Sequence, residues 1–133
     1  MKACVLYISR TGNTKRMAEA IAGHLNASIF DISKPEGFVA GDFDLLFVGT
    51  PLMGGRPTPE VSAFLTRLPE GAGKKAIVFC TYAITKAGAL KNMQSELSKR
   101  GYVPILELSK RVLRQSNADF SDCLAEISKV LKE

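Results

Sequence analysis

The chain has no tryptophan, a single histidine and three cysteines in 133 residues. Cys4, Cys80 and Cys123 are an odd number set far apart, which argues against a disulfide framework and against the paired spacing of a zinc knuckle. Cys4 and Cys80 fall in apolar runs, where cysteine behaves as a small hydrophobe. The lone His24 sits near the end of a helical stretch, a favourable place for an exposed ring and not one that suggests catalysis. No apolar run exceeds strand length, so no membrane span is expected. The first run stops at Ser9-Arg10, too short for a signal-peptide core, and no small-residue cleavage pattern follows it. A cytoplasmic protein is expected. There is no repeat, linker or low-complexity segment, and the length suits one domain over residues 1–133. Folding a chain of this size buries roughly two-thirds of its surface, enough for a proper core.

Acids are fewer than bases, and the formal net charge is +5. This balance favours acidic partners or ligands. The bases are spread along the chain. Their densest group, Lys110-Arg111 with Arg114, has no interleaved aromatics, so it reads as solvated surface and not as a nucleic-acid site.

What is present is a strict alternation of strand and helix. Residues 3–8 form a short apolar run rich in β-formers without in–out alternation, the mark of a strand buried on both faces. Met17, Ile21 and Leu25 then recur at helical spacing. Further strands are predicted at residues 28–32, 43–49, 75–81 and 103–108. Thr58-Pro59-Glu60 is a helix start, with a hydroxyl cap, a first-position proline and an acid in the first turn. Val61, Phe64, Leu65 and Leu68 give that helix its apolar face. A further helix carries Leu90, Met93 and Leu97 and stops at Gly101. The last, with Leu124, Ile127 and Leu131, is predicted to start near Ala118 or Asp119. The helix after the second strand is short or missing. This alternation implies right-handed crossovers and a three-layer, doubly wound α/β fold with a five-stranded parallel sheet. In such sheets a ligand lies beyond the carboxyl ends of the strands, at the switch in strand order. Residues 9–14, 50–57 and 81–85 should meet there.

The first of these loops has neither the G-x-G-x-x-G of a dinucleotide fingerprint nor the G-x-x-x-x-G-K-[ST] of a P-loop. It offers hydroxyls at Ser9, Thr11 and Thr14, an amide at Asn13, and a run of backbone N–H groups at a helix N-terminus. Gly12 allows close approach or a positive φ. The set suits a phosphate monoester held without metal. A polar turn with an ordinary cap is the alternative these residues leave open. In the second loop, Leu52 and Met53 could offer apolar contact to a flat ring, and Gly54-Gly55 is free to take positive φ. A tight Pro/Gly turn is the plainer reading. Tyr82 could cover a second ring face or close the edge of the core.

Ser9-Arg10-Thr11-Gly12-Asn13-Thr14 resembles the [ST]-x-T-G-x-T phosphate loop of flavodoxins, and Thr50-Pro51-Leu52-Met53-Gly54-Gly55 resembles that family's first flavin-flanking loop. Thr81-Tyr82-Ala83 matches the second flanking loop in position, with a weaker motif. The likeness runs over essentially the whole chain in element order and fits the short-chain branch, which lacks an insertion in the last strand; it implies a flavodoxin-like sheet with strand order 2-1-3-4-5. The family is itself a standard example of the switch-point rule. The resemblance implies FMN as cofactor, with Arg10 and the residues just named around it. It also implies a Gly54-Gly55 peptide that turns over when the flavin gains an electron, so that its carbonyl accepts a hydrogen bond from the flavin N5–H. It implies an electron carrier between redox proteins with no catalytic side chain. A small FMN-dependent reductase or oxidase, or a domain of this fold that has lost its flavin, are the alternatives. No metal, nucleic acid or membrane is expected, and a monomer is.

Two features need separating from that picture. Cys4-x5-Arg10 has the C-x5-R spacing of a phosphatase loop, but Cys4 would lie about five residues, ~16 Å, below the sheet edge, where no exposed thiolate can form. A receiver-type phosphorylation domain needs acids at the carboxyl ends of its strands, and Asp42 and Asp44 precede the third strand at the wrong edge. The chain also departs from the family. Flavodoxins commonly surround the flavin with acids, whereas the loops here carry Arg10, Arg56 and Lys86. The partner is therefore expected to be acidic. Cations near the ring favour the doubly reduced anion, so a redox titration is expected to give a potential for the second electron less negative than in acidic flavodoxins, by about 59 mV per tenfold stabilisation. A strongly negative value would contradict this.

Overall fold

The computed structural model describes residues 1–113 and 118–132. Arg114 lies outside them. The elements are β1 (Ala3–Tyr7), α1 (Asn13–Leu25), β2 (Ser28–Asp31), β3 (Leu45–Pro51), α2 (Pro59–Thr66), β4 (Lys75–Tyr82), α3 (Ala89–Lys99), β5 (Val103–Arg111) and α4 (Ser121–Leu131). The strands form one parallel sheet, as the alternation implied, in the order β2-β1-β3-β4-β5 that the resemblance implied. Where the helix after β2 was expected to be short or missing, there is a single 3-10 turn, Ala40–Asp42.

Successive side chains of a strand point to opposite faces, and in β1 both faces are dry. Cys4, Leu6 and Ile8 join one core layer with Val61, Leu65, Met93 and Leu97 of α2 and α3. Val5 and Tyr7 join the other, with Met17 and Ile21 of α1 and Ile127 of α4. Each helix therefore buries one stripe, and the sheet is covered on both sides. Gly49 allows the closest packing within it, because a Cβ there would stand 2.1 Å from the Phe79 ring.

Helix ends follow the sequence signals closely. Thr58 caps α2, its Oγ1 accepting from the Val61 N–H at 3.3 Å, and Pro59 takes the first helical position. After α3, Gly101 adopts φ +87°. Its N–H donates to Ser98 O and that of Tyr102 to Leu97 O, each at 3.1 Å, a Schellman stop. The start of α4 lies at Ser121, later than the predicted Ala118 or Asp119. Phe120 is drawn into the core, and Asp119 Oδ1 accepts from the Ser121 N–H at 2.9 Å.

Two strand boundaries also move. β3 begins at Leu45 and not at Phe43, because Phe43 turns into an aromatic cluster with Phe30 and Phe38, while the Asp44 carboxylate accepts from the Lys2 N–H at 2.8 Å. β5 continues past Leu108 to Arg111, paired with β4 as far as Tyr82. A register shift opposite Ala76/Ile77 accommodates Pro104 on this edge strand, where a residue without an N–H is tolerated. The added length of β5 carries two residues up to the carboxyl edge of the sheet.

Candidate functional site

The three polar loops converge at that edge around a cleft of about 220 Å³. Arg10, Thr11 and Asn13 line it from the first loop, Pro51, Leu52 and Met53 from the second, and Thr81, Tyr82 and Ala83 from the third. Ser9, Gly12, Thr14, Thr50, Gly54 and Gly55, also nominated from sequence, are not among the lining residues. Most of these six shape the wall.

Ser9 Oγ accepts from the N–H groups of Gly12 (3.1 Å) and Lys15 (3.2 Å), folding the loop onto α1. Its own proton is left to donate. Gly12 holds φ +97°, a conformation that L side chains rarely adopt. The N–H groups of Asn13 and Thr14, at the open end of the helix, have no partner among the described residues. Thr14 is buried, and its Oγ1 lies 2.7 Å from Thr81 Oγ1 in a hydroxyl pair that ties the first loop to the third. Thr50 is fully buried. Its hydroxyl donates to Pro51 O at 2.8 Å and accepts from the Thr58 N–H at 3.2 Å, so it fixes the second loop to the cap of α2.

The second loop closes as a two-residue hairpin. Met53 N donates to Arg56 O at 3.0 Å, and Arg56 N to Met53 O at 3.2 Å. Gly54 and Gly55 both have positive φ, +61° and +77°, the signs of a type I′ turn. A Cβ on Gly54 would meet nothing within 4 Å, whereas one on Gly55 would press on Ala87 and Thr85 of the third loop. Leu52 and Tyr82 are part-buried against the core and also line the cleft. Tyr82 thus does both of the things its position allowed.

Sequence reasoning missed three residues. Val112 lines the cleft, and its N–H donates to Tyr82 O at 2.8 Å. Arg111 Nε donates to Ala83 O at 2.9 Å. Both hold the third loop, and only the register of β5 brings them there. Arg16 is the third. Its guanidinium turns back along α1, where Nη2 donates to Asn13 Oδ1 and Nη1 stands 3.3 Å from where a Cβ of Gly12 would be. Its Nε is buried without a hydrogen-bond partner. α1 has no acid in its first turn, so this cation lies at the positive end of a helix dipole and has no ion-pair partner among the described residues. The spacing of Arg16 from Gly12, one helical turn, was the available signal.

The other cations are distributed differently. Arg10 pairs with Glu60 at 2.8 Å, with both side chains about two-fifths exposed. Such a pair contributes about 0–1 kcal/mol, but it offsets one of the three cations expected near the ring. Lys86 Nζ donates to Ser109 Oγ at 3.1 Å. His24 is exposed on α1 and shares a 2.7 Å hydrogen bond with Ser128.

No group of three or more candidate metal ligands occurs among the described residues. The cleft is lined by no carboxylate, thiol or imidazole. Cys4 is fully buried within β1, which disposes of the C-x5-R coincidence.

Residues 4–110 match the family model described as a flavodoxin domain. The chain belongs to the flavodoxin family. An uncharacterized protein of Methanocaldococcus jannaschii is 30% identical over 105 residues, which is 77% of this chain and 69% of that one. Among solved structures, a flavodoxin from the domain Archaea superposes with a TM-score of 0.75 at 21% identity, over 100% of both chains. The two-electron reduced flavodoxin of Megasphaera elsdenii gives 0.74 at 23%, over 93% of this chain and 96% of that one. A flavoprotein of Lactobacillus acidophilus, solved in complex with FMN, gives 0.70 at 17%, over 82% and 93%. At these identities the structures speak for the flavodoxin fold.

Burial pushes the thiols of Cys4 and Cys80 up to about 12 and that of Cys123 up to about 11, against an ordinary value of 9.0. Above pH 9 the folded chain therefore holds protons that the unfolded chain releases. Stability from these groups is complete below pH 9 and is lost as pH rises toward 12. The native protein is expected to resist iodoacetamide at about pH 8, with a denaturation midpoint that falls only above that. Rapid alkylation of Cys4 in the folded state would contradict this burial.

Proposed function

We propose that this flavodoxin-family chain binds FMN in the carboxyl-edge cleft and carries single electrons between redox proteins. The observation that carries the reading is the two-part character of one cleft. One end offers hydroxyl, amide and N–H donors at a helix N-terminus, and the other is walled by Leu52, Met53 and Tyr82. A phosphate fits the first end and a flat apolar ring the second. The orphaned Nε of Arg16 strengthens the fit, because a phosphate dianion is the counter-charge that this end of α1 lacks.

The residues divide the work. Ser9, Thr11, Asn13 and Thr14 would hold the phosphate from hydroxyls and N–H groups, with Gly12 giving close approach, Arg16 lending charge, and Arg10, paired with Glu60, lining the wall. Thr50 and Pro51 hold the second loop, and Leu52 and Met53 offer one apolar surface. Gly54 and Gly55 leave the adjoining peptide free to reorient, because neither carries a side chain to oppose a change of turn type. Thr81, Tyr82 and Ala83 form the opposite wall, which β5 fixes through Arg111 and Val112. Bound FMN would supply reversible electron storage. The protein needs only to orient it, exclude water from one side and leave an edge accessible. Among the described residues the cleft lining holds no carboxylate, thiol or imidazole, which favours a carrier over an enzyme that turns over a bound substrate. Three unpaired thiols suit a reducing compartment such as the cytoplasm.

Titration of apoprotein with FMN and with riboflavin, followed by flavin fluorescence, tests the reading. FMN should bind about 100-fold or more tighter than riboflavin, since each charge-assisted hydrogen bond to phosphate contributes about 1.5–3 kcal/mol. Arg16→Gln should cost FMN about tenfold, ~1.4 kcal/mol, and leave riboflavin unchanged. Equal affinity for the two flavins would remove the phosphate site, and no binding of either would remove the function.

A further inference from the structure

The segments that build the carboxyl edge, residues 9–16, 50–58, 81–90 and 108–113, contain no aspartate or glutamate. Beyond these segments at the same edge, Glu60 pairs with Arg10 and Asp122 with Lys110, while the carboxylates of Asp31 and Asp119 accept from the N–H groups of Ser33 and Ser121. Arg56, Lys86 and Arg111 remain exposed, with no carboxylate partner among the described residues. The opposite edge is mixed, with Asp42, Asp44 and Glu70 interspersed among lysines. Three cations without a carboxylate partner among the described residues therefore stand on the segments that frame the cleft.

The same edge exposes three large aliphatic side chains, one per loop. Met53 is 61% exposed, Ile84 89% and Leu113 69%. Isolated exposed hydrophobics need no explanation, but these three stand on the segments that supply Met53, Ala83 and Val112 to the cleft wall. Apolar contacts with a charged surround are the anatomy of a protein interface. A nucleic-acid surface would instead present stacking aromatics among the cations, and Tyr82, the aromatic at this edge, is turned half into the core.

We propose that the carboxyl edge is a docking face for an acidic electron-transfer protein. The partner's carboxylates meet Arg56, Lys86 and Arg111, and its apolar centre covers Met53, Ile84 and Leu113. The proposal rests on the flavin reading for its purpose, since docking there places the partner against the accessible edge of the cleft. Steering between opposite charges speeds association and weakens as salt rises.

The test mixes reduced, FMN-loaded protein in stopped flow with cytochrome b5, an acidic haem protein, and with cytochrome c, a basic one. The rate to cytochrome b5 should fall about tenfold between low salt and about 0.3 M, while the rate to cytochrome c should hold or rise. Arg56→Glu with Lys86→Glu should slow transfer to cytochrome b5 about tenfold. Lys75→Glu with Lys99→Glu makes the same change in net charge at the opposite edge and should slow it less than about threefold. Equal slowing by the two pairs would leave only net charge and overturn the proposal. So would a reversed salt dependence, or tighter binding to a single-stranded oligonucleotide than to cytochrome b5 at physiological salt. Flavin absorbance before mixing reports separately on the flavin reading. Should that reading fail, binding of cytochrome b5 to the same variants without flavin, measured by calorimetry, still decides the docking face.

Discussion

Everything in this molecule depends on a sheet buried on both faces. Cys4, Val5 and Leu6 of β1 are inaccessible, as are Leu45, Leu46, Phe47 and Val48 of β3 and Ala76, Ile77, Val78, Phe79 and Cys80 of β4. At roughly 25 cal/mol for each Å² of apolar surface removed from water, these strands are the main favourable contribution to folding. They leave no room for chemistry along their length. Polar groups with something to bind can stand only where the strands end, and parallel pairing sends every such end to one edge. The cleft is a consequence of how the core is covered.

Within that edge, the loops are held by bonds that leave their donors usable. Thr14 and Thr81 join the first loop to the third, Thr50 and Thr58 seat the second on α2, and Arg111 and Val112 brace the third from β5. None of these bonds consumes the N–H groups of Asn13 and Thr14. The result is a rigid frame around a positively biased helix end. That bias is unusual in its own terms, since Lys15 and Arg16 occupy a first turn where acids would be favoured. An anion bound there, as proposed, would offset them. The Arg10–Glu60 pair shows the complementary tactic, cancelling a cation on the outer face while leaving the inner one charged.

Most of this was legible in the sequence. The uninterrupted apolar runs pointed to the parallel sheet, the family resemblance to its strand order, and the hydroxyl-rich hexapeptide after the first run to one wall of the cleft. Gly54-Gly55 gave a turn with positive φ. What was hidden depends on register or on side-chain direction. The apolar pattern of β5 fades at Leu108, because an edge strand can be polar, so nothing in Ser109-Lys110-Arg111-Val112 announced a strand reaching the cleft. Arg16 looked like an ordinary helix-surface residue until its side chain was seen to run back toward Gly12. Thr50 read as part of the binding loop, and its hydroxyl turned out to be occupied in holding that loop in place. The start of α4 was misplaced because Phe120 packs as core while lying outside the helix.

The central claim is that one cleft, framed by three loops, holds phosphate at its Gly12 end and a flavin ring between Met53 and Tyr82. Amide chemical shifts of ¹⁵N-labelled apoprotein during titration with FMN test it most directly. The account predicts the largest changes at Gly12, Asn13 and Thr14, accompanied by Met53, Gly54, Tyr82, Ala83 and Val112, with little change at the amino edge. Changes centred on the groove lined by Phe38, Phe64 and Leu68, with Gly12, Asn13 and Thr14 unmoved, would contradict it.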